Sequence, residues 1–261
     1  MAHLPGDLAE ARRRARSDRH AYAFPLLFFG IASFLSVPLY APSSPAPRLV
    51  VRQVEYNPLS VLGAHPEVRH PLLLGLYWLV VLVVGAAATV RWYRGRGARV
   101  GIDTSTMGYL GAVAIGLSAP LVAMGLLRLL PMTSIGVVTP ESGTGAGLIV
   151  LAVATVLWRV RAPLPLTLVA AVVGTALLQL AHSAFGQFIA IGLGLVVLAA
   201  LERSTTFTTI VAAYVVTLCL TGVFAPLSLV PATTLTMAMA TIVLPPGFVL
   251  VLGGLAGLRR G

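Results

Sequence analysis

The chain has 261 residues, of which 57% are hydrophobic and 10% are charged, and its mean hydropathy is +0.93. A water-soluble domain of this length could not bury so much apolar surface, so these values exclude an ordinary soluble fold. The formal net charge of +10 comes from 18 arginines, without any lysine. Because these arginines flank apolar runs and form no single basic patch, the charge does not indicate nucleic-acid binding.

Long uncharged stretches follow one another along the chain, and a hydrocarbon core of about 30 Å needs roughly 20 helical residues. The stretches 162–201 and 204–258 hold 40 and 55 residues, which is too long for one span, so each is predicted to hold two helices. The first divides near Gln179 and His182, and the second divides at 226–231. The sequence therefore predicts an all-α, polytopic transmembrane helical bundle of about eight spans, with six or seven as alternatives. The predicted spans are 22–40, 71–90, 104–127, 142–160, 163–182, 185–201, 205–224 and 234–257.

The arginines predict the orientation of this bundle. Fourteen of the 18 lie before the first span, or at or just after the end of the second, fourth, sixth and eighth. Because cytoplasmic loops are enriched in arginine, both termini are predicted to be cytoplasmic. The predicted organisation is an Arg-rich cytoplasmic segment at 1–21, a transmembrane domain at 22–258 and one sizeable outer loop at 41–70. The second half of that loop is predicted to pack over the bundle, and the first span to remain uncleaved.

The predicted spans contain no Asp, Glu or Lys, so chemistry within the membrane must rest on neutral groups. Pro245, Pro246 and Gly247 lie inside the last span, where adjacent prolines delete hydrogen bonds and predict a break or kink. Broken helices expose carbonyl groups that bind solutes in transporters, although prolines are also tolerated structurally. Gln179 and His182 share a helix face and are further candidates for a pathway; a plain interfacial turn is the alternative.

Three residues of the outer loop, His65, Glu67 and His70, are of types that bind zinc. Their spacing matches no helical or paired-cysteine pattern, so no metal site is predicted. The chain lacks a G-x-S-x-G motif with a suitably placed histidine, an H-E-x-x-H motif, and the lysine of a phosphate-binding loop. The sequence therefore predicts no catalytic residues, no enzyme activity and no cofactor.

Glycine-rich patterns predict two local features. The segment 133–147, rich in Ser, Thr and Gly, is predicted to be a flexible outer loop. Gly253 and Gly257 form a G-x-x-x-G pattern, which is a weak signal for close helix packing in a chain with 26 glycines. The single cysteine, Cys219, lies within an apolar run and is interpreted as a small core residue.

Two runs, RRRARSDRHAYAFPLLFFG and YWLVVLVVGAAATVRWYRGRGARVG, resemble a group of bacterial integral membrane proteins with no assigned activity. The length, the inward termini and the outer loop also resemble permease subunits of ABC-type exporters, which typically have six spans and a longer cytoplasmic coupling segment. This resemblance implies a non-catalytic, permease-like component of the bacterial cell membrane, with a separate ATPase as a partner besides the lipid bilayer. The alternative is an accessory, scaffold or sensory subunit that acts through the outer loop and the Arg-rich tail. The oligomeric state stays open.

The eight-span topology places position 141 outside the cell and position 203 inside it. Alkaline phosphatase, which is active only outside the cytoplasm, is expected to be active when fused after Glu141 and inactive when fused after Arg203. A cytoplasmic signal from the Glu141 fusion would contradict the topology. Equal expression of the two fusions is the required control.

Overall fold

The computed structural model describes residues 22–42, 62, 68–100, 140–160, 170, 173–174, 177–178, 186–202, 204–224 and 235–260. Within these residues the backbone forms six long α-helices and no strand, which confirms the all-α class for this part of the chain. A 3₁₀ turn, Val37–Tyr40, continues the first helix. The helices are α1 (Ala23–Ser36), α2 (Pro71–Val100), α3 (Pro140–Arg159), α4 (Gly186–Glu202), α5 (Thr205–Phe224) and α6 (Leu235–Arg260).

Three helical segments of the described part are long and apolar enough to cross a membrane: Ala23–Tyr40, Pro71–Gly95 and Met239–Arg259. Shorter apolar helices occupy Gly145–Leu157, Gly186–Glu202 and Thr205–Thr221. All six segments fall on predicted spans. The predicted span 104–127 lies outside the described residues, and 163–182 is described only at scattered helical positions between 170 and 178.

Two helices begin or end beyond their predicted limits. α2 continues past residue 90 to Val100, through the arginine-rich stretch, because arginine is a good helix former and no Gly-Pro stop follows it. α3 begins at Pro140, so the prediction of a flexible loop over 133–147 is wrong from that residue onward. Proline favours the first position of a helix, where its missing N–H would have had no helical partner.

α1 and α6 make the most extensive contact between helices in the described part of the chain. Their backbones approach closely because glycine occupies the contact. A Cβ atom added at Gly30 would lie 2.7 Å from Val251 Cγ2 and 3.0 Å from the Val251 backbone nitrogen. One added at Gly254 would lie 3.1 Å from the carbonyl oxygen of Ala23. Any larger residue at these positions would force the two helices apart.

The glycines of the G-x-x-x-G pattern face two different helices. A Cβ atom at Gly253 would lie 2.5 Å from Ile210 Cγ2 of α5, whereas one at Gly257 would lie 3.2 Å from the Cβ of Ala23 in α1. The pattern therefore does mark close packing: Gly253 brings α6 close to α5, and Gly257 brings it close to α1.

The other helices pack outward from this central pair. α5 packs on α6, α4 packs on α5, and α2 packs on the opposite side of the pair, against α1. Aromatic side chains fill the contacts: the Tyr22 ring stacks on Phe207 at 4.8 Å between centroids, which joins the start of α1 to the start of α5. The largest fully buried side chains are Trp78, Tyr22, Tyr40, Tyr214, Phe188 and Phe207.

The outer faces of the helices are apolar. Large hydrophobic side chains are exposed along several helices, and on α2 they recur at nearly every outward position. Exposed apolar surface of this extent indicates contact with a membrane, because lipid chains can cover it. The exposed residues include Leu72, Leu73, Leu76, Val80, Val83 and Val84 of α2, Ile149, Val153 and Val156 of α3, and Phe248, Leu252, Leu255 and Leu258 of α6.

The two ends of the predicted outer loop are joined to each other. The Arg69 backbone N–H donates to the Ala41 carbonyl at 2.8 Å, and Pro42 and Val68 form an isolated antiparallel bridge. Leu62 and Val68 are buried in the hydrophobic core. At its described residues the segment 41–70 thus packs against the helices, at the end of α1 and the start of α2.

The α1–α6 contact predicts a sharp difference between two glycines. Gly30→Ala is expected to destabilise the protein by about 1–3 kcal/mol, because its methyl group meets the backbone of α6. Gly194→Ala is the matched control, since nothing lies within 4 Å of a Cβ at that position. In detergent-solubilised protein we expect the Tm to fall by about 2–10 °C for Gly30→Ala and to stay level or rise for Gly194→Ala. Equal Tm values for the two variants would contradict the close contact.

Candidate functional site

A buried hydrogen-bonded cluster joins α1, α2 and α4. Trp78 Nε1 donates to the Tyr40 hydroxyl at 3.2 Å, and Gln187 Nε2 donates to the same oxygen at 3.1 Å. All three side chains are buried, at 1% exposure or less. Because a hydroxyl oxygen has two lone pairs, both acceptor positions of Tyr40 are filled. We call these three residues the Tyr40 cluster.

A hydrogen bond to the Tyr40 backbone extends the Tyr40 cluster to a fourth helix, α6, and an aromatic contact adds Phe188 of α4. Thr236, in the first turn of α6, donates its hydroxyl to the Tyr40 carbonyl at 3.2 Å. The Phe188 ring meets Trp78 edge to face at 5.1 Å between centroids. One end of the bundle is therefore pinned through a single residue at the end of the 3₁₀ turn. We call it the Tyr40 end.

The other ends of the same helices meet at the opposite end of the bundle, where α1 begins and α4 ends. We call it the Tyr22 end. There the Tyr93 hydroxyl of α2 donates to a carboxylate oxygen of Glu202, the last residue of α4. The Trp92 ring stacks on Phe24 in the first turn of α1 at 5.2 Å between centroids. Along α2, Tyr93 lies about 22 Å from Trp78, which is within the roughly 30 Å thickness of a hydrocarbon core.

A buried hydroxyl lies between the two ends. Thr89 of α2 is 3% exposed, and its Oγ1 has no hydrogen-bond partner among the described residues. It lies one turn from Gly85, which faces Phe28 and Phe29 of α1, and one turn from Tyr93, which faces α4. Leaving a buried hydroxyl unsatisfied costs about 1–3 kcal/mol. Thr89 is therefore a described position where a hydroxyl is buried between helices at a net cost.

The chemistry of these groups is neutral hydrogen bonding. The buried polar side chains of the described residues are Ser33, Ser36, Thr89 and Gln187, none of which carries a charge. Within the same residues, no group of three His, Cys, Asp or Glu side chains is placed to hold a metal ion. The arrangement can bind the polar groups of a neutral solute and can hold helices together.

Of the break or kink predicted in the last span, the break is wrong, whereas the kink and the pathway or hinge role of Pro245, Pro246 and Gly247 stay predictions. α6 runs as one helix from Leu235 to Arg260, with Pro245 and Pro246 inside it. Pro246 and Gly247 are buried, and a Cβ atom at Gly247 would lie 3.3 Å from the Cβ of Ser33 in α1. The segment stays helical despite two lost hydrogen bonds, and it packs against α1 after the prolines and against the 3₁₀ turn before them. The absence of a side chain at Gly247 thus allows α1 to approach α6 closely.

The other predicted pathway residues, Gln179 and His182, lie outside the described residues. The Tyr40 cluster instead contains Gln187, which follows them in the sequence, together with two residues that the sequence patterns did not single out. Tyr40 is 38 residues from Trp78 and 147 from Gln187, so no local pattern links them. The one available signal was the presence of Tyr and Trp near the ends of spans, which by itself predicts an interfacial position.

Known proteins offer no template for this arrangement. Neither a protein-family model, nor a curated protein, nor a solved structure matches the chain. The resemblance to permease subunits therefore stays a prediction, and the role of the protein rests on its own residues.

Removal of the Tyr40 hydroxyl oxygen is predicted to destabilise the protein strongly. Tyr40→Phe leaves two buried donors without their acceptor, at an expected cost of about 1–3 kcal/mol for each. Tyr77→Phe is the matched control: the Tyr77 hydroxyl donates to the Ala32 carbonyl at 2.6 Å, and that carbonyl lies within α1 and keeps its helical donor. Thermal unfolding in detergent should show a clearly larger fall in Tm for Tyr40→Phe. An equal fall in Tm for Tyr77→Phe would contradict the role of the Tyr40 hydroxyl as the acceptor that holds the cluster together.

Proposed function

We propose that this chain is a multi-pass protein of the bacterial cell membrane and acts there as a non-catalytic, permease-like component of a transport system. A separate ATPase supplies the energy, and the solute is hydrophobic or weakly polar. The observation that carries the proposal is the distribution of side chains: large apolar groups lie on the outer faces of the helices, while neutral polar groups and glycine lie between them.

Thr89 supports a solute-binding role within this bundle. Its hydroxyl is buried at a cost to stability and has no partner among the described residues. A solute that passes between α1, α2 and α4 would meet this hydroxyl about midway between Trp78 and the end of α2. Because the described buried polar groups are all neutral, they suit a solute without formal charge.

A further observation supports the second candidate, an accessory, scaffold or sensory subunit. The segment 41–70 is fixed at both ends by the hydrogen bond from Arg69 to Ala41, and Leu62 within it is buried. The described residues of this segment, at 41–42, 62 and 68–70, are therefore held against the helices and would offer a fixed surface to another subunit. Deleting this loop and the Arg-rich segment 1–21 should then abolish capture of a defined partner, and unchanged capture would contradict this candidate.

Transport is tested by comparing cells with and without the gene. We expect the efflux of at least one fluorescent hydrophobic or weakly polar dye from a broad panel to fall severalfold on deletion and to return on complementation. The chain purified from native membranes in mild detergent should carry an ATPase in fixed stoichiometry. Unchanged flux of every dye, together with no associated ATPase, would contradict the permease role.

Thr89→Val separates solute binding from structure. The substitution removes the hydroxyl while keeping the branched shape, so stability is expected to stay level or rise, and the flux to fall. Thr208→Val is the control, because that exposed hydroxyl donates to the Ser204 carbonyl of its own helix at 2.9 Å. A Thr89→Val protein with full flux, or with reduced stability, would contradict the proposed role of this residue.

A further inference from the structure

Three arginines are exposed around the start of α1. Arg91 and Arg94 lie on α2, and Arg259 lies near the end of α6. Both helices contact the first turn of α1: Trp92 of α2 stacks on Phe24, and Gly257 of α6 packs against Ala23. The three guanidinium groups thus belong to the same end of the bundle, the Tyr22 end.

These charges have little compensation within the described part of the chain. Glu202 is the only carboxylate there whose side chain is described, and it accepts a hydrogen bond from Tyr93. The patch is therefore strongly positive, and it selects for an anionic partner.

Arg91 and Arg259 each continue an apolar stripe on their own helix. On α2, the exposed residues Val80 and Val84 precede Arg91 at helical spacing, and Val84 and Arg91 are two turns apart on one face. On α6, the exposed Leu252 and Leu255 lead to Arg259 in the same way. An apolar stripe that ends in a guanidinium group has the pattern of a phospholipid, whose acyl chains lead to a charged headgroup.

The aromatic residue within the patch points to the same partner. Trp92 lies between Arg91 and the buried Tyr93 and is 38% exposed. Tryptophan is enriched at the level of lipid headgroups, where its ring meets the acyl chains and its N–H meets water or phosphate. A soluble anion would make no contact with the apolar stripes next to the arginines, whereas the acyl chains of a phospholipid would cover them.

We propose that Arg91, Arg94 and Arg259 form a binding surface for the headgroups of anionic phospholipids, with the acyl chains along the outer faces of α2 and α6. Arginine recognises phosphate oxygens through paired N–H donors, which fits this chemistry better than a diffuse charge does. The inference rests on the membrane location proposed above and is independent of transport.

The test is native mass spectrometry of the full chain in a mild detergent, with phosphatidylglycerol or phosphatidylcholine added. Each arginine near an anionic surface contributes about a fivefold gain in affinity, so the wild type is expected to bind phosphatidylglycerol up to about 100-fold more tightly. The triple variant Arg91→Gln, Arg94→Gln, Arg259→Gln should lose most of this preference. Arg69→Gln, a change to an exposed arginine at the Tyr40 end, should keep it.

Equal binding of the two lipids by the wild type would overturn the proposal, and so would an equal loss of preference in Arg69→Gln. If the triple variant is not stable, the single variant Arg94→Gln replaces it, with an expected loss of about fivefold. Alkaline carbonate extraction of cell membranes separates this result from the proposed function. A chain that stays in the membrane without any lipid preference overturns only the present inference, whereas a chain released by carbonate overturns the membrane location itself.

Discussion

The backbones of α1 and α6 touch through glycine, and the other helices are arranged around this pair. Between membrane helices there is little hydrophobic driving force, so close van der Waals contact must supply the attraction. Gly30 and Gly254 allow that contact, because a methyl group at either position would meet the backbone of the opposite helix. α2 and α5 then pack on the two sides of the pair, and α4 joins them at both of its ends.

Polar contacts are placed at the ends of this arrangement and are sparse between them. The Tyr40 cluster closes one end by neutral hydrogen bonds, and the Tyr93–Glu202 contact lies at the other. Thr89 is the exception, since its buried hydroxyl has no partner in the described part of the chain. A buried hydroxyl without a partner calls for a specific explanation, and the solute-binding role proposed for Thr89 supplies one.

The helices were predictable from the sequence, whereas their contacts were not. Charge and apolar length located α4 and α5 to within a residue, because the membrane thickness limits the length of a spanning helix. The span predicted at 142–160 comes within two residues of the start of α3, whereas the loop predicted over 133–147 overlaps its first turns, since Ser, Thr and Gly resemble a loop in a soluble setting. The Tyr40 cluster was missed because its members are far apart in sequence. The helix is continuous at Pro245 and Pro246, so the break did not occur; Gly247 packs there against α1, a long-range contact that local patterns cannot reveal.

The glycine contact also has a consequence for the time course of synthesis. Gly30 and Val251 are about 220 residues apart, so ribosomes working at about 5–20 residues per second make α6 roughly 10–40 s after α1. During that interval the glycine face of α1 has lipid, or another helix, as its neighbour. The central pair of the bundle therefore cannot form until α6 has been made, and until then α1 lacks its main partner.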